Sequence, residues 1–158
     1  NEVYDQTNTS KSLLKALRAS QESGVLWLNG DVVFDPRVLE RVQSRMIKEK
    51  SFICVNTSAT SDEEIKYTVD SNGNINSLSK QVVNALGEAV GINFIGKGEK
   101  AAVINHLEEC ADNDYFERGL ELAIEKAGIK LEPVDISDLF AVEVDFQDDL
   151  DRANKGLK

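Results

Sequence analysis

The sequence predicts an α/β fold, one layered sheet with helices on its faces, and three observations carry that expectation. Apolar residues at helical spacing alternate with short continuous apolar runs, in the order helix, strand, helix, strand. Asn72-Gly73 stands between two short alternating runs, which adds an antiparallel hairpin and makes the sheet mixed. The composition, 41% hydrophobic and 29% charged with only 2 prolines and 10 glycines, suits a packed globular chain and not a disordered one. At 158 residues such a chain buries roughly 70% of its unfolded surface. Residues 1–158 are therefore read as a single domain.

The elements follow in order. Leu13, Leu14 and Leu17 share a helical face behind the capping residues Asn8, Thr9 and Ser10, and Gly24 closes that unit. Val25-Leu26-Trp27-Leu28 is a continuous apolar run, the pattern of a strand covered on both faces. It breaks at Asn29-Gly30-Asp31. Asp35-Pro36 reads as a cap and first-turn proline for a helix carrying Val38, Leu39, Val42 and Met46. Ser51 to Val55 is a second buried strand. The hairpin runs Glu64 to Val69 and Ile75 to Leu78, and Ala89 to Ile95 is a further strand. A helix over Glu99 to Cys110 turns Ala102, Val103, Leu107 and Cys110 inward. Another, over Tyr115 to Ala127, buries Phe116, Leu120, Ala123, Ile124 and Ala127, with Gly128 just past its end. Strands over Ile129 to Ile136 and Ala141 to Phe146 precede a helix with an acidic first turn at Gln147.

Charge excludes some functions. The 18 basic residues are scattered among 28 acidic ones, for a net charge of −10, so no basic surface awaits nucleic acid. No run approaches the ~20 apolar residues of a membrane span, and no leader pattern opens the sequence. Cys54 and Cys110 lack metal or redox spacing and read as two buried thiols of a cytoplasmic protein. His106, the only histidine, reads as part of a solvated helix face, so no histidine-based triad or zinc site is expected.

Two acidic segments stand out. In Leu28-Asn29-Gly30-Asp31 a strand delivers Asp31 just beyond its C-terminal end, the edge at which open α/β sheets bind ligands. In Val142-Glu143-Val144-Asp145-Phe146 alternation puts the apolar residues on one face and the carboxylates on the other, with Asp145 at the strand end. Two carboxylates from two strand ends can share one magnesium ion, or each can be solvated at a turn or an edge strand.

Four stretches in order resemble the nucleotidyltransferases of the sugar-phosphate and phosphocholine type. They are Asn8-Thr9-x-x-Ser12-Leu13, Leu28-Asn29-Gly30-Asp31-Val32-Val33-Phe34-Asp35, Gly87-Glu88-x-x-Gly91-Ile92 and Glu143-Val144-Asp145-x-x-x-Asp149-Leu150. The resemblance implies a Rossmann-like three-layer sandwich with helices on both faces of a mixed sheet. It implies transfer of a nucleotidyl group, cytidylyl first, from a nucleoside triphosphate to a small phosphomonoester, with release of pyrophosphate. Asp31 and Asp145 would hold Mg2+. Lys80 occupies the place of a catalytic lysine that contacts phosphate, and Asn8, Ser12 and Glu88 would border substrate. Tyr115-Phe116-Glu117 resembles a stretch of small-alcohol cytidylyltransferases; Tyr115 and Glu117 would suit the ammonium of phosphocholine or another aminoalkyl phosphate, with a sugar phosphate as the alternative acceptor.

The family's Gly-rich nucleotide loop and Pro-Lys segment have no counterpart in the sequence. The expectation is an N-terminally incomplete domain, inactive alone, or else a non-catalytic binding or regulatory module on the same fold. Strand Val25 to Leu28 is then expected to lack neighbours unless another chain supplies them, which would favour a homo-oligomer.

Overall fold

The structure, a computed structural model, describes residues 1–20, 23–58 and 64–156. Helix α1 (Thr9–Ala19) starts where Asn8 Oδ1 accepts from the Thr9 amide at 2.8 Å, and it buries Leu13, Leu14 and Leu17. There follow β1 (Val25–Leu28), β2 (Val32–Phe34), α2 (Arg37–Ile47), β3 (Phe52–Asn56), β4 (Lys66–Val69), β5 (Ile75–Ser79) and β6 (Gly87–Ile95). The chain continues through α3 (Lys97–Glu109), α4 (Phe116–Leu122), β7 (Glu132–Asp135), β8 (Ala141–Glu143) and α5 (Gln147–Gly156).

The main sheet has the order β5-β4-β6-β3-β7, with β1 also paired to β6. Among the described strands of this sheet only β3 and β7 run parallel; the other pairs are antiparallel. Strand β6 is the spine of the sheet. One edge meets β3; the other meets β4 near its start and β1 near its end. Residues Val90 to Ile95 are all buried, because both faces of this strand are covered. Ile53 pairs with Asn93 but Val55 with Ala89, so β6 carries a bulge at Val90-Gly91-Ile92. On one face α1, α3 and α4 pack Leu17, Leu107 and Leu120 against Ile53 and Ile95. On the other, Val38 and Val42 of α2 pack against Phe52, Ile92 and Val134, with the Phe52 and Phe94 rings stacked at 5.5 Å. A separate antiparallel ribbon, β2 with β8, lies beside this second core. The result is the expected mixed sheet with helices on both faces.

Several boundaries differ from the sequence reading. Val25 to Leu28 has a neighbour within the chain, since β1 pairs with β6 over four residues. It is nevertheless half-buried rather than covered, and Leu28 is 40% exposed. A continuous apolar run reports contacts on both faces but does not distinguish a central strand from an outer one. Strand β2, only three residues long, has no counterpart among the expected elements. Asp35 caps α2 as expected, its Oδ1 accepting from the Arg37 amide at 2.9 Å. The helix expected through Ala127 changes at Leu122 to a π-helical segment, Ala123–Ala127, and leaves Ala127 exposed; Gly128 then takes the left-handed conformation at φ 66°. The strand expected from Ile129 to Ile136 is ordered as β only at Glu132–Asp135. The last strand ends at Glu143, so Phe146 does not share the face of Val142 and is 77% exposed. Its amide instead donates to Asp149 Oδ2 at 3.1 Å, where the chain turns into α5. His106 is half-buried, with Nδ1 3.0 Å from Glu109 Oε1, and is not a solvated residue. Cys54 and Cys110 are buried thiols, and burial pushes Cys54 up to about 12.

Candidate functional site

The first part of the site is an acidic corner where β1 ends. The Asn29 amide donates to Gly91 O at 2.8 Å, and Asn29 O accepts from the Val32 amide at 3.4 Å. These bonds close a turn that leaves Asp31 exposed. The Val144 amide donates to Asp31 O at 3.0 Å, and Val32 pairs with Glu143. The ribbon thereby brings Asp31 alongside the segment bearing Glu143 and Asp145. Asp145 lies two residues past β8, exposed like Asp31, rather than at the strand end. Glu143 is half-buried, and its Oε1 accepts from Asn29 Nδ2 at 3.0 Å.

Gly91 is what makes room for this bond. Its φ is +67°, a region that residues with a Cβ enter at a cost. A Cβ there would also stand 2.8 Å from Asn29 Nδ2, Glu143 Oε1 and Val32 Cγ2. The bulge of β6 thus presents bare backbone beneath the Asn29–Glu143 pair.

The corner concentrates negative charge. Burial, then the field of Glu64, raises the Glu143 carboxyl to about 7; the Asn29 bond opposes this, and Asp31 and Asp145 add to it. Glu64 is itself raised, by burial first, then by Glu88 and Asp145, with Lys80 opposing. Among the described residues, no group of three or more Asp, Glu, His or Cys side chains converges on a metal position. Magnesium needs fewer, since one or two carboxylates suffice where phosphates and water complete its shell. The donors at the corner are of the hard oxygen type that ion prefers, and their mutual repulsion is what a divalent cation relieves.

The second part is a cleft of about 180 Å³ between β5 and the start of α4, lined by Leu78, Lys80, Asn113, Tyr115, Glu117 and Arg118 among others. Tyr115 stands outside α4 and is half exposed, while Phe116 turns inward to meet Trp27 edge-to-face at 5.7 Å. The Lys80 ammonium lies 5.7 Å from the Tyr115 ring centroid. Glu117 is only 8% exposed, and its Oε2 has no hydrogen-bond partner among the described residues. Burial raises this carboxyl to about 7; Glu143 adds to the rise and Lys80 opposes it. Glu117 therefore lies in the fields of both the corner and the cleft.

The structure brings Lys80, Tyr115 and Glu117 together around one cleft and Asp31 and Asp145 onto one corner. Asn8 reaches the rim indirectly: besides capping α1, its Nδ2 donates to Asn113 O at 3.2 Å. Ser12 is exposed on α1, its Oγ accepting from Asn1 Nδ2 at 3.0 Å, and does not line the cleft. Glu88 is half-buried on β6, opposite Lys66 on one side and Asn56 on the other. The sequence reading missed Asn29, Glu64, Gly91 and Glu143. Asn29 and Glu143 stood inside the two acidic motifs, but nothing in the sequence pairs residues 114 positions apart.

No family model and no curated protein sequence matches the chain. Solved structures do. The inositol-1-phosphate CTP transferase from T. maritima is 14% identical with a TM-score of 0.74, over 91% of this chain and 58% of that one. The CTP:phosphocholine cytidylyltransferase from Streptococcus pneumoniae is 14% identical with a TM-score of 0.73, over 100% of this chain and 67% of that one. A putative glucose-1-phosphate thymidylyltransferase from Bacillus anthracis is 14% identical with a TM-score of 0.70, over 95% and 61%. The chain thus spans about three-fifths of the length of such structures. No helix among the described residues is long and apolar enough to cross a membrane. The sheet order, the layering and these likenesses together show that the chain has the Rossmann-like fold of the nucleotidyltransferases.

Proposed function

We propose that this domain is the acceptor-binding part of a nucleotidyltransferase that moves a cytidylyl group from CTP to phosphocholine or a related aminoalkyl phosphate. The observation that carries the reading is the single cleft lined by Lys80, Tyr115 and the buried Glu117. An ammonium headgroup and a phosphate, a few bonds apart in one small molecule, would find opposite charges at matching places. Tyr115 offers an aromatic face and Glu117 a buried carboxylate to the ammonium. Lys80, which sits over that ring in the ligand-free chain, would give up the ring and turn to the phosphate.

The chemistry is an in-line displacement. An acceptor phosphate oxygen attacks the α-phosphorus of the triphosphate, the new P–O bond forms, and the bond to pyrophosphate breaks. Little proton transfer is needed, so positioning and charge neutralisation carry the rate. Asp31 and Asp145 would hold magnesium, whose charge offsets that of the phosphates. A sugar phosphate in place of the aminoalkyl phosphate is the second reading, favoured by the likeness to the thymidylyltransferase structure.

Calorimetric titration with phosphocholine, glucose 1-phosphate and inorganic phosphate tests the acceptor. Saturable binding of phosphocholine that Tyr115→Ala weakens, with no binding of glucose 1-phosphate, is expected. Preference for glucose 1-phosphate would replace the first reading with the second, and no binding of either would refute both.

A further inference from the structure

We infer that Asn29 and Glu143 act as a positioning pair, whose side-chain hydrogen bond fixes the Asp31 turn against the Asp145 segment; the metal-related part of this rests on the function proposed above. The bond adds a side-chain tie, 3.0 Å between Asn29 Nδ2 and Glu143 Oε1, to the backbone pairing that joins the two segments carrying the exposed carboxylates. Asn29 is held from three sides: its amide by Gly91 O, its carbonyl by the Val32 amide and its side chain by Glu143. Asp31 has one such tie, through its carbonyl to the Val144 amide. With the β2–β8 ladder only three residues long, an exposed turn of this kind frays easily. A side-chain bond from Asn29 to the Glu143 carboxyl beside it adds a further restraint to the turn. Gly91 fits the same role, because a side chain there would collide with both partners. Glu143 is thus a positioning residue that acts through Asn29 and not a ligand of the cation.

The two roles separate by substitution. Glu143→Gln keeps an acceptor for Asn29 but removes the charge, whereas Glu143→Ala and Asn29→Ala remove the bond. The local reporter is hydrogen exchange at the Val144 amide, with the buried Phe94 amide as the reference for global opening. A charge-assisted bond of typical strength corresponds to about tenfold in an opening equilibrium. Asn29→Ala and Glu143→Ala are each expected to speed Val144 exchange about tenfold with Phe94 unchanged. The double variant is expected to match either single one, and Glu143→Gln to stay within about threefold of the parent. Equal acceleration at Phe94, or no acceleration at Val144, overturns the positioning role.

Mn2+ affinity, read by water-proton relaxation, is the second measurement. The pair acting by position predicts that Glu143→Gln binds Mn2+ like the parent and that both alanine variants bind more weakly. Loss in Glu143→Gln equal to that in Glu143→Ala makes Glu143 a ligand and overturns the inference. If the exchange results hold while the parent chain binds no Mn2+, the positioning pair stands and the magnesium reading of the corner fails.

Discussion

Replacing Glu117 with glutamine isolates the cost of a buried carboxylate in the cleft. The Glu117 carboxyl is raised from 4.5 to about 7, mainly by burial, and Oε2 has no hydrogen-bond partner among the described residues. Its folded-state value lies above its unfolded one, so the folded chain holds this proton more tightly. Stability from the protonated form is complete below about pH 4.5 and is lost as pH rises towards 7. Two and a half units at about 1.4 kcal/mol each give a loss on the order of 3 kcal/mol, most of it between pH 5 and 7. Glu117→Gln is neutral throughout and nearly the same shape. The assay is urea unfolding of parent and variant from pH 5 to 8, using the difference between them so that other titrating groups cancel. The two should be similar at pH 5, and the variant should gain about 2–3 kcal/mol over the parent by pH 8. Parallel profiles would mean instead that Glu117 titrates alike in the folded and unfolded chains, with no burial cost.

The same carboxyl sets a binding profile. Choline has no titrating group, so its affinity should fall roughly tenfold or more from pH 8 to pH 5.5 as Glu117 takes up its proton, checked by calorimetry. Gly91→Ala should cost about 2 kcal/mol or more in chemical unfolding, from the left-handed φ of +67° and three contacts at 2.8 Å. Leu107→Ala should cost about 3 kcal/mol, since this fully buried side chain fills the space over Gly119 between α3 and α4.

The helices and the central strands were legible because their signals are local. Leu13, Leu14 and Leu17, or Val38 and Val42, mark a buried face by spacing alone, and Asn8 and Asp35 mark caps by residue type. Lys80, Tyr115 and Glu117, which the resemblance offered as site residues, line one space although Lys80 precedes the other two by 35 and 37 residues. The rest depended on tertiary context. Strand β2 is too short to show a period, and β8 stops at Glu143 because the following residues are taken up by the start of α5. The bulge of β6 at Gly91 left no mark in the apolar pattern, since Val90 and Ile92 are buried on either side of it. Glu143 resembled the polar side of a solvated strand, and only the pairing of β2 with β8 turns it towards Asn29.

The proposed function requires the acidic corner and the aromatic cleft to form one site. Paramagnetic relaxation tests it most directly, because broadening falls with the sixth power of distance. Phosphocholine is added to the chain with Mn2+, and the linewidths of its phosphorus and methyl signals are followed. The account predicts strong broadening of the phosphorus signal that Asp31→Asn abolishes while phosphocholine still binds. Phosphocholine bound with sharp signals beside bound Mn2+ would place the two in separate sites and contradict the account.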